Sequence, residues 1–170
     1  NKYICGVDEV GRGPIAGPVV AASVILPPFF YNPEIDDSKR LTPKKRLELY
    51  QLIVKNALAY SFGFVNHRGI DQINIYRAAI KAMHKAVLSL SVKPNLVITD
   101  AIFVPDLPYR QKNIIKGDQK SISIASASIL AKVRRDEIML KFHKIYPHYN
   151  FARHKGYATK EHRQAIMCYG

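Results

Sequence analysis

A mixed α/β fold is predicted by three features of the sequence. The chain has 170 residues of which 48% are hydrophobic, enough for one core. Two Val/Ile-rich runs near the N-terminus are joined by a glycine-punctuated turn. Beyond them, runs with strand alternation and runs with helical spacing take turns to the end of the chain.

Residues 3–8 and 18–26 read as the two strands of a hairpin, with Gly11, Gly13 and Gly17 in an irregular turn between them and Pro27-Pro28 ending the second. A loop through Asn32, Pro33, Asp36 and Asp37 follows. Thr42 is a good N-cap with Pro43 at the first helical position, and Leu47, Tyr50, Ile53, Val54 and Leu58 predict a helix over 43–56. Alternation of Tyr60, Phe62 and Phe64 predicts a strand to residue 66, and Ile73, Tyr76, Ile80, Met83 and Val87 a helix over 73–89. Residues 96–99 read as a short buried strand ending in Asp100, then a loop over 101–112, a strand over 113–116 closed by Asp118, and a long helix over 121–145. A short helix is expected from about 160. No repeat, low-complexity tract or linker divides the chain, so a single domain over 1–170 is expected, helical from about 140 onward.

Lys and Arg total 26 against 13 Asp and Glu, a net charge of +13 that points to a polyanionic partner, nucleic acid ahead of an acidic membrane surface. No run of about 18 apolar residues could cross a membrane and nothing reads as a secretion signal, so a cytoplasmic protein is expected. Cys5 and Cys168 match no metal-ligand spacing and read as free thiols.

The acids stand out against that charge. Asp8-Glu9 precedes Gly11-Arg12-Gly13-Pro14, and Asp100 and Asp118 close later strands, so four carboxylates are expected to converge on one sheet edge. Such a cluster needs protons or cations to neutralise it. All-oxygen ligation suits Mg²⁺ or Mn²⁺ rather than zinc, and two such ions flanking a phosphodiester describe a metal-dependent nuclease. The glycines of the turn do not match a dinucleotide fingerprint, no H-E-x-x-H or P-loop is present, and Ser121, Ser123, Ser126 and Ser128 read as residues that permit close helix packing.

Five segments, in order, carry a family resemblance: G-V-D-E-V-G-R-G-P-I-A-G-P-V at 6–19, D-S-K-R-L at 37–41, N-I-Y-R-A-A-I-K-A-M at 74–83, K-G-D-Q-K-S-I-S-I-A-S-A-S-I-L-A-K-V-R-R-D at 116–136 and Y-P-H-Y-N-F-A-R-H-K-G-Y-A-T at 146–159. The chain resembles bacterial ribonuclease HII from end to end. The resemblance implies a ribonuclease H-like mixed sheet of about five strands flanked by helices, with a C-terminal helical segment. It implies endonucleolytic cleavage of RNA in RNA/DNA hybrids and at single ribonucleotides embedded in duplex DNA, by a two-metal-ion mechanism leaving 3′-hydroxyl and 5′-phosphate ends.

The family's metal-binding acids fall on Asp8, Glu9, Asp100 and Asp118, with Mg²⁺ or Mn²⁺ as cofactor. Its contacts to the ribonucleotide fall on Gly11, Arg12 and Gly13, and Tyr157 matches the tyrosine that packs on the following deoxyribose. Ser38, Lys39 and Lys155 are expected phosphate contacts, Asp136 a structural acid paired with a nearby base, and the protein a monomer. Two departures are visible. Asp100 is followed by Ala101-Ile102 where many bacterial relatives have Gly-Asn, and the sequence stops at Tyr169-Gly170 where relatives usually continue in a His-Arg-containing tail, whose contribution to substrate binding is expected to be missing. A non-catalytic hybrid-binding protein is disfavoured by the acids, which would repel phosphates. A general DNA nuclease on the same fold is disfavoured by the Gly-Arg-Gly turn and Tyr157, and a ribosome-associated RNA binder leaves the acids unexplained.

Overall fold

The structure, a computed structural model, describes residues 2–170. Five strands form one sheet: β1 (Ile4–Val10), β2 (Val19–Ile25), β3 (Ala59–Val65), β4 (Leu96–Asp100) and β5 (Arg110–Ile114), in the order β3-β2-β1-β4-β5. β2 pairs antiparallel with both β1 and β3, whereas β1, β4 and β5 run parallel. The expected five-stranded mixed sheet and its opening hairpin are therefore present. The carboxyl ends of β1, β4 and β5 lie along one edge, where open α/β sheets place their sites.

Helices cover both faces. α1 (Pro43–Asn56) begins as expected, with Thr42 Oγ1 accepting from the Lys45 amide at 3.2 Å. α3 (Ile75–Leu88) packs on one face of the sheet, where Cys5, Val7, Val19, Ala21 and Val65 meet Ala78, Ala79, Ala82, Met83 and Ala86. On the other face Ala22 and Val24 meet Leu49 and Ile53 of α1 and Ala125, Ala127, Ile129 and Leu130 of α5 (Ile122–Ile145). Glycines and small residues let these layers approach closely. A Cβ on Gly6 would lie 2.2 Å from the Ser123 carbonyl carbon, and one on Gly63 1.9 Å from the Ala82 carbonyl oxygen. The serine-alanine run of α5 is thus a packing surface against β1, as expected.

Several boundaries differ from the sequence reading, each for a local reason. The helix expected over 73–89 is α3, which starts at Ile75, and a short helix that was not expected, α2 (His67–Ile73), precedes it. α2 stops at Asn74, whose φ of 66° breaks the path and whose side chain then caps α3 by accepting from the Arg77 amide. In β3, Phe62 packs against the core under α1 and α5 while Tyr60 and Phe64 on the same side stay exposed, and Gly63 on the other side is pressed against α3. β5 lies at 110–114 rather than 113–116, because Arg110 to Ile114 pair in parallel with Leu96 to Asp100. Asp118 does not close a strand: it sits in a one-turn helix, α4 (Gly117–Lys120). α6 (Phe151–His154) and α7 (Lys160–Tyr169) finish the chain, the latter capped by Thr159. Among the described residues no helix is long and apolar enough to cross a membrane.

Candidate active site

Asp8 and Glu9 lie at the carboxyl end of β1 as expected, just before its last residue Val10, and strand alternation sends them to opposite faces. Asp8 points to the α5 face, where Ser128 donates to its carboxylate; the Ser128 hydroxyl is itself 2.8 Å from that of Ser38. Glu9 is held by Arg12, with Nη1 to Oε1 at 3.3 Å. Asp100 is the last residue of β4, and its Oδ1 accepts from the Gly117 amide at 2.9 Å. That bond ties β4 to α4, which carries the largely buried Asp118. Ala101 occupies the left-handed region at φ 57°, so the chain makes a glycine-type bend without a glycine.

One pocket of about 250 Å³ is lined by all four acids together with Arg12, Ser38, Lys39 and Tyr157. Ser38 is buried, its hydroxyl committed to Ser128 and its carbonyl to Arg46 Nε at 2.9 Å, so it braces the site from beneath. Lys39 is exposed at the rim. Gly13 is beside the Tyr157 ring, where an added Cβ would stand 3.6 Å from Cε1. Gly11 and Lys155 are not brought to the pocket. Gly11 faces the Pro18 carbonyl, and the Lys155 ammonium bonds the Ala152 carbonyl of its own short helix.

Two polar pocket residues were given no site role from the sequence: Ser128, read there as a packing residue, and Lys132. They stand one helical turn apart on α5, and a polar pair at that spacing in a packing helix was the available signal. Lys132 lies 5.8 Å from the Tyr157 ring centroid and 2.8 Å from Asp136, which also faces Arg46 at 3.8 Å. Asp136 thus has the paired position expected of a structural acid.

Burial raises the Asp8 pKa well above the ordinary carboxylate range, reinforced by Glu9 and Asp100 and opposed by Ser128. Glu9 is raised by burial against the opposing pull of Arg12. Asp118 is raised by burial, then by Asp37 and Asp100. The set is all oxygen and is penalised when fully ionised, which suits a hard divalent cation. No three His, Cys, Asp or Glu side chains among the described residues close into a cage. An open set of this kind fits Mg²⁺ or Mn²⁺, since Mg²⁺ keeps several waters and uses one or two carboxylates together with substrate phosphates.

Comparison with known proteins decides the family. The family model described as ribonuclease HII matches residues 5–170. The chain belongs to the ribonuclease HII family. It is 56% identical over 169 residues to the ribonuclease HII of Caldanaerobacter subterraneus subsp. tengcongensis, covering 99% of this chain and 70% of that one. Identity to the ribonuclease HII of Syntrophus aciditrophicus is 53%, covering 99% and 80%. Among solved structures, ribonuclease H2 from Pyrococcus horikoshii superposes with a TM-score of 0.81 at 25% identity, covering 97% of this chain and 85% of that chain. The ribonuclease HII of Archaeoglobus fulgidus, solved as a complex with PCNA, gives 0.74 at 25% identity, covering 98% and 88%. This ribonuclease HII family member is a ribonuclease H, a hydrolase that acts as an endonuclease, on a ribonuclease H-like fold.

Proposed function

We propose that the chain cleaves the RNA strand of RNA/DNA hybrids and cuts duplex DNA on the 5′ side of a single embedded ribonucleotide. The observation that carries this is the gathering of Asp8, Glu9, Asp100 and Asp118 with Arg12 and Tyr157 around one pocket, in a chain of net charge +13. The basic surface draws the polyanion in, and the acids gain their use where a phosphodiester meets a divalent cation.

Asp8, Glu9, Asp100 and Asp118 would hold the ions. Two bound Mg²⁺ or Mn²⁺ ions would supply Lewis-acid polarisation of the phosphate and a more acidic attacking water. Ser128 orients Asp8, and the Gly117 amide orients Asp100. Lys39 stands at the rim within reach of a phosphate, as does Arg12 once it leaves Glu9. The Arg12-Gly13 backbone, whose turn Gly11 helps to shape, reads the 2′-hydroxyl, and the Tyr157 ring beside Gly13 packs on the deoxyribose that follows. Attack by water rather than by the 2′-hydroxyl leaves 3′-hydroxyl and 5′-phosphate ends without a cyclic phosphate. All of these groups come from a single chain, so the acting unit is taken as the monomer, and its place of action as the cytoplasm.

The test is cleavage of a DNA duplex carrying one ribonucleotide beside an all-DNA duplex, with Mg²⁺ present or chelated. Metal-dependent cutting only at the ribonucleotide, with a 3′-hydroxyl end, is expected. Cutting of both duplexes would make the protein a general nuclease, and binding without cutting would make it a hybrid-binding protein.

A further inference from the structure

Arg135 is fully buried on α5 and the reaction as described does not use it. Among the described residues it has no carboxylate partner within salt-bridge distance; its guanidinium is spent on backbone carbonyls. Nε donates to Pro18 at 3.0 Å and Nη2 to Ala16 at 2.9 Å, both at the end of the glycine turn that follows β1. Nη1 donates to Lys155 at 2.8 Å, in the segment that carries Tyr157. The same two segments also meet directly, with the Ile15 and Ala16 amides sharing the Gly156 carbonyl at 3.0 and 3.3 Å.

Three glycines with positive φ surround this junction. A Cβ on Gly11 would lie 2.9 Å from Arg135 Nε, and one on Gly17 3.1 Å from Arg135 Nη2 and 2.4 Å from Met139 Sδ. On Gly156 it would lie 2.3 Å from the Ala16 carbonyl oxygen. Backbone is thus wrapped tightly around one planar cation whose fork of donors suits three fixed acceptors. Burying a charge in this way is costly, and a hydrophobic residue could fill the space without that cost.

We propose that Arg135 is a specificity-determining positioning residue: it fixes the glycine turn and the Tyr157 segment in one register, so that ribose and following deoxyribose are read together. This rests on the substrate reading given above. In a continuous hybrid the sugar after the scissile ribonucleotide is another ribose, so the joint reading counts for less there. Loss of Arg135 should therefore fall hardest on the embedded ribonucleotide.

The experiment measures kcat and KM with Mg²⁺ for the native sequence, Arg135→Lys, Tyr157→Ala and the double variant, on an embedded-ribonucleotide duplex and on a continuous hybrid. Folding is checked by circular dichroism. A lysine reaches at most part of the three-carbonyl set. Arg135→Lys is expected to lower kcat on the embedded duplex by about 10²-fold, the scale of a 1 Å misplacement, and to lower hybrid cleavage much less. The added Tyr157→Ala should then cost almost nothing further on the embedded duplex, because both changes remove one reading. Equal losses on both substrates, multiplying effects, or no loss would each overturn the proposal. If Arg135→Lys does not fold, Gly156→Ala, which pushes the same segments apart, is read by the same criteria. Failure of the native sequence to cut the embedded duplex would instead defeat the substrate reading and this proposal together, and so is distinguishable.

Discussion

At Asp8, three influences meet in one carboxylate: burial and the neighbouring acids raise its pKa, and the Ser128 hydroxyl opposes them. An acid that holds its proton more tightly in the folded chain than in the unfolded one lowers stability as pH rises, starting at the ordinary carboxylate value near 4 and ending at the raised one. Glu9 and Asp118 act in the same direction. Asp8→Asn is therefore expected to raise the melting temperature of the metal-free protein at pH 8 and to leave it nearly unchanged near pH 4. The same variant should lose cleavage by on the order of 10²–10³-fold or more, as when a preorganised electrostatic group is removed. Thermal melts across pH beside a cleavage assay check both; a variant less stable at pH 8 and still active would overturn the reading of Asp8. Asp8, Glu9 and Asp118 were legible because they stand in distinctive local motifs, and Asp100 because it ends a short apolar strand. Ser128 was not, since its role depends on Asp8, far away in sequence, meeting the same face of α5. Nor was Ala101, whose left-handed backbone is required by the bend after β4 and not by its own side chain.

Elements are held together here by close backbone approach. Gly63 in β3 lets α3 settle on the sheet, and an added methyl would meet Ala82 O at 1.9 Å and Ala86 N at 2.8 Å. Both obstacles are backbone, so neither can swing away. Gly63→Ala is expected to destabilise the protein by about 1–3 kcal/mol or more, the cost of overpacking, measured as a lower urea midpoint with an unchanged slope. An unchanged midpoint would show that α3 can lift from the sheet freely. Such contacts also show why element boundaries were only partly readable. Period and capping placed α1 correctly, because Thr42, Pro43 and the apolar spacing are all local. α2 was not read from the sequence, because its seven residues hold only two large apolar side chains, Ile70 and Ile73. The short strand 110–114, largely polar, is a strand only because β4 lies alongside it.

At the scale of the whole molecule, charge and acids divide the work: a basic surface for the polyanion, and one edge of the sheet where acids collect. Composition showed the first and motif order the second. That the glycine turn and the Tyr157 segment touch at all is a property of the closed fold. The packing has a practical consequence at the other end of β1. Cys5 is buried in the core under α3, its thiol pushed up to about 12 by burial, whereas Cys168 is exposed on α7. Thiolate is the reactive species, so a disulfide reagent added to the native protein should label one sulfur at once and leave the other waiting for the sheet to open. The slow phase then becomes a clock for global opening, read without any substrate. It should slow further when a divalent cation holds the acid-lined edge together.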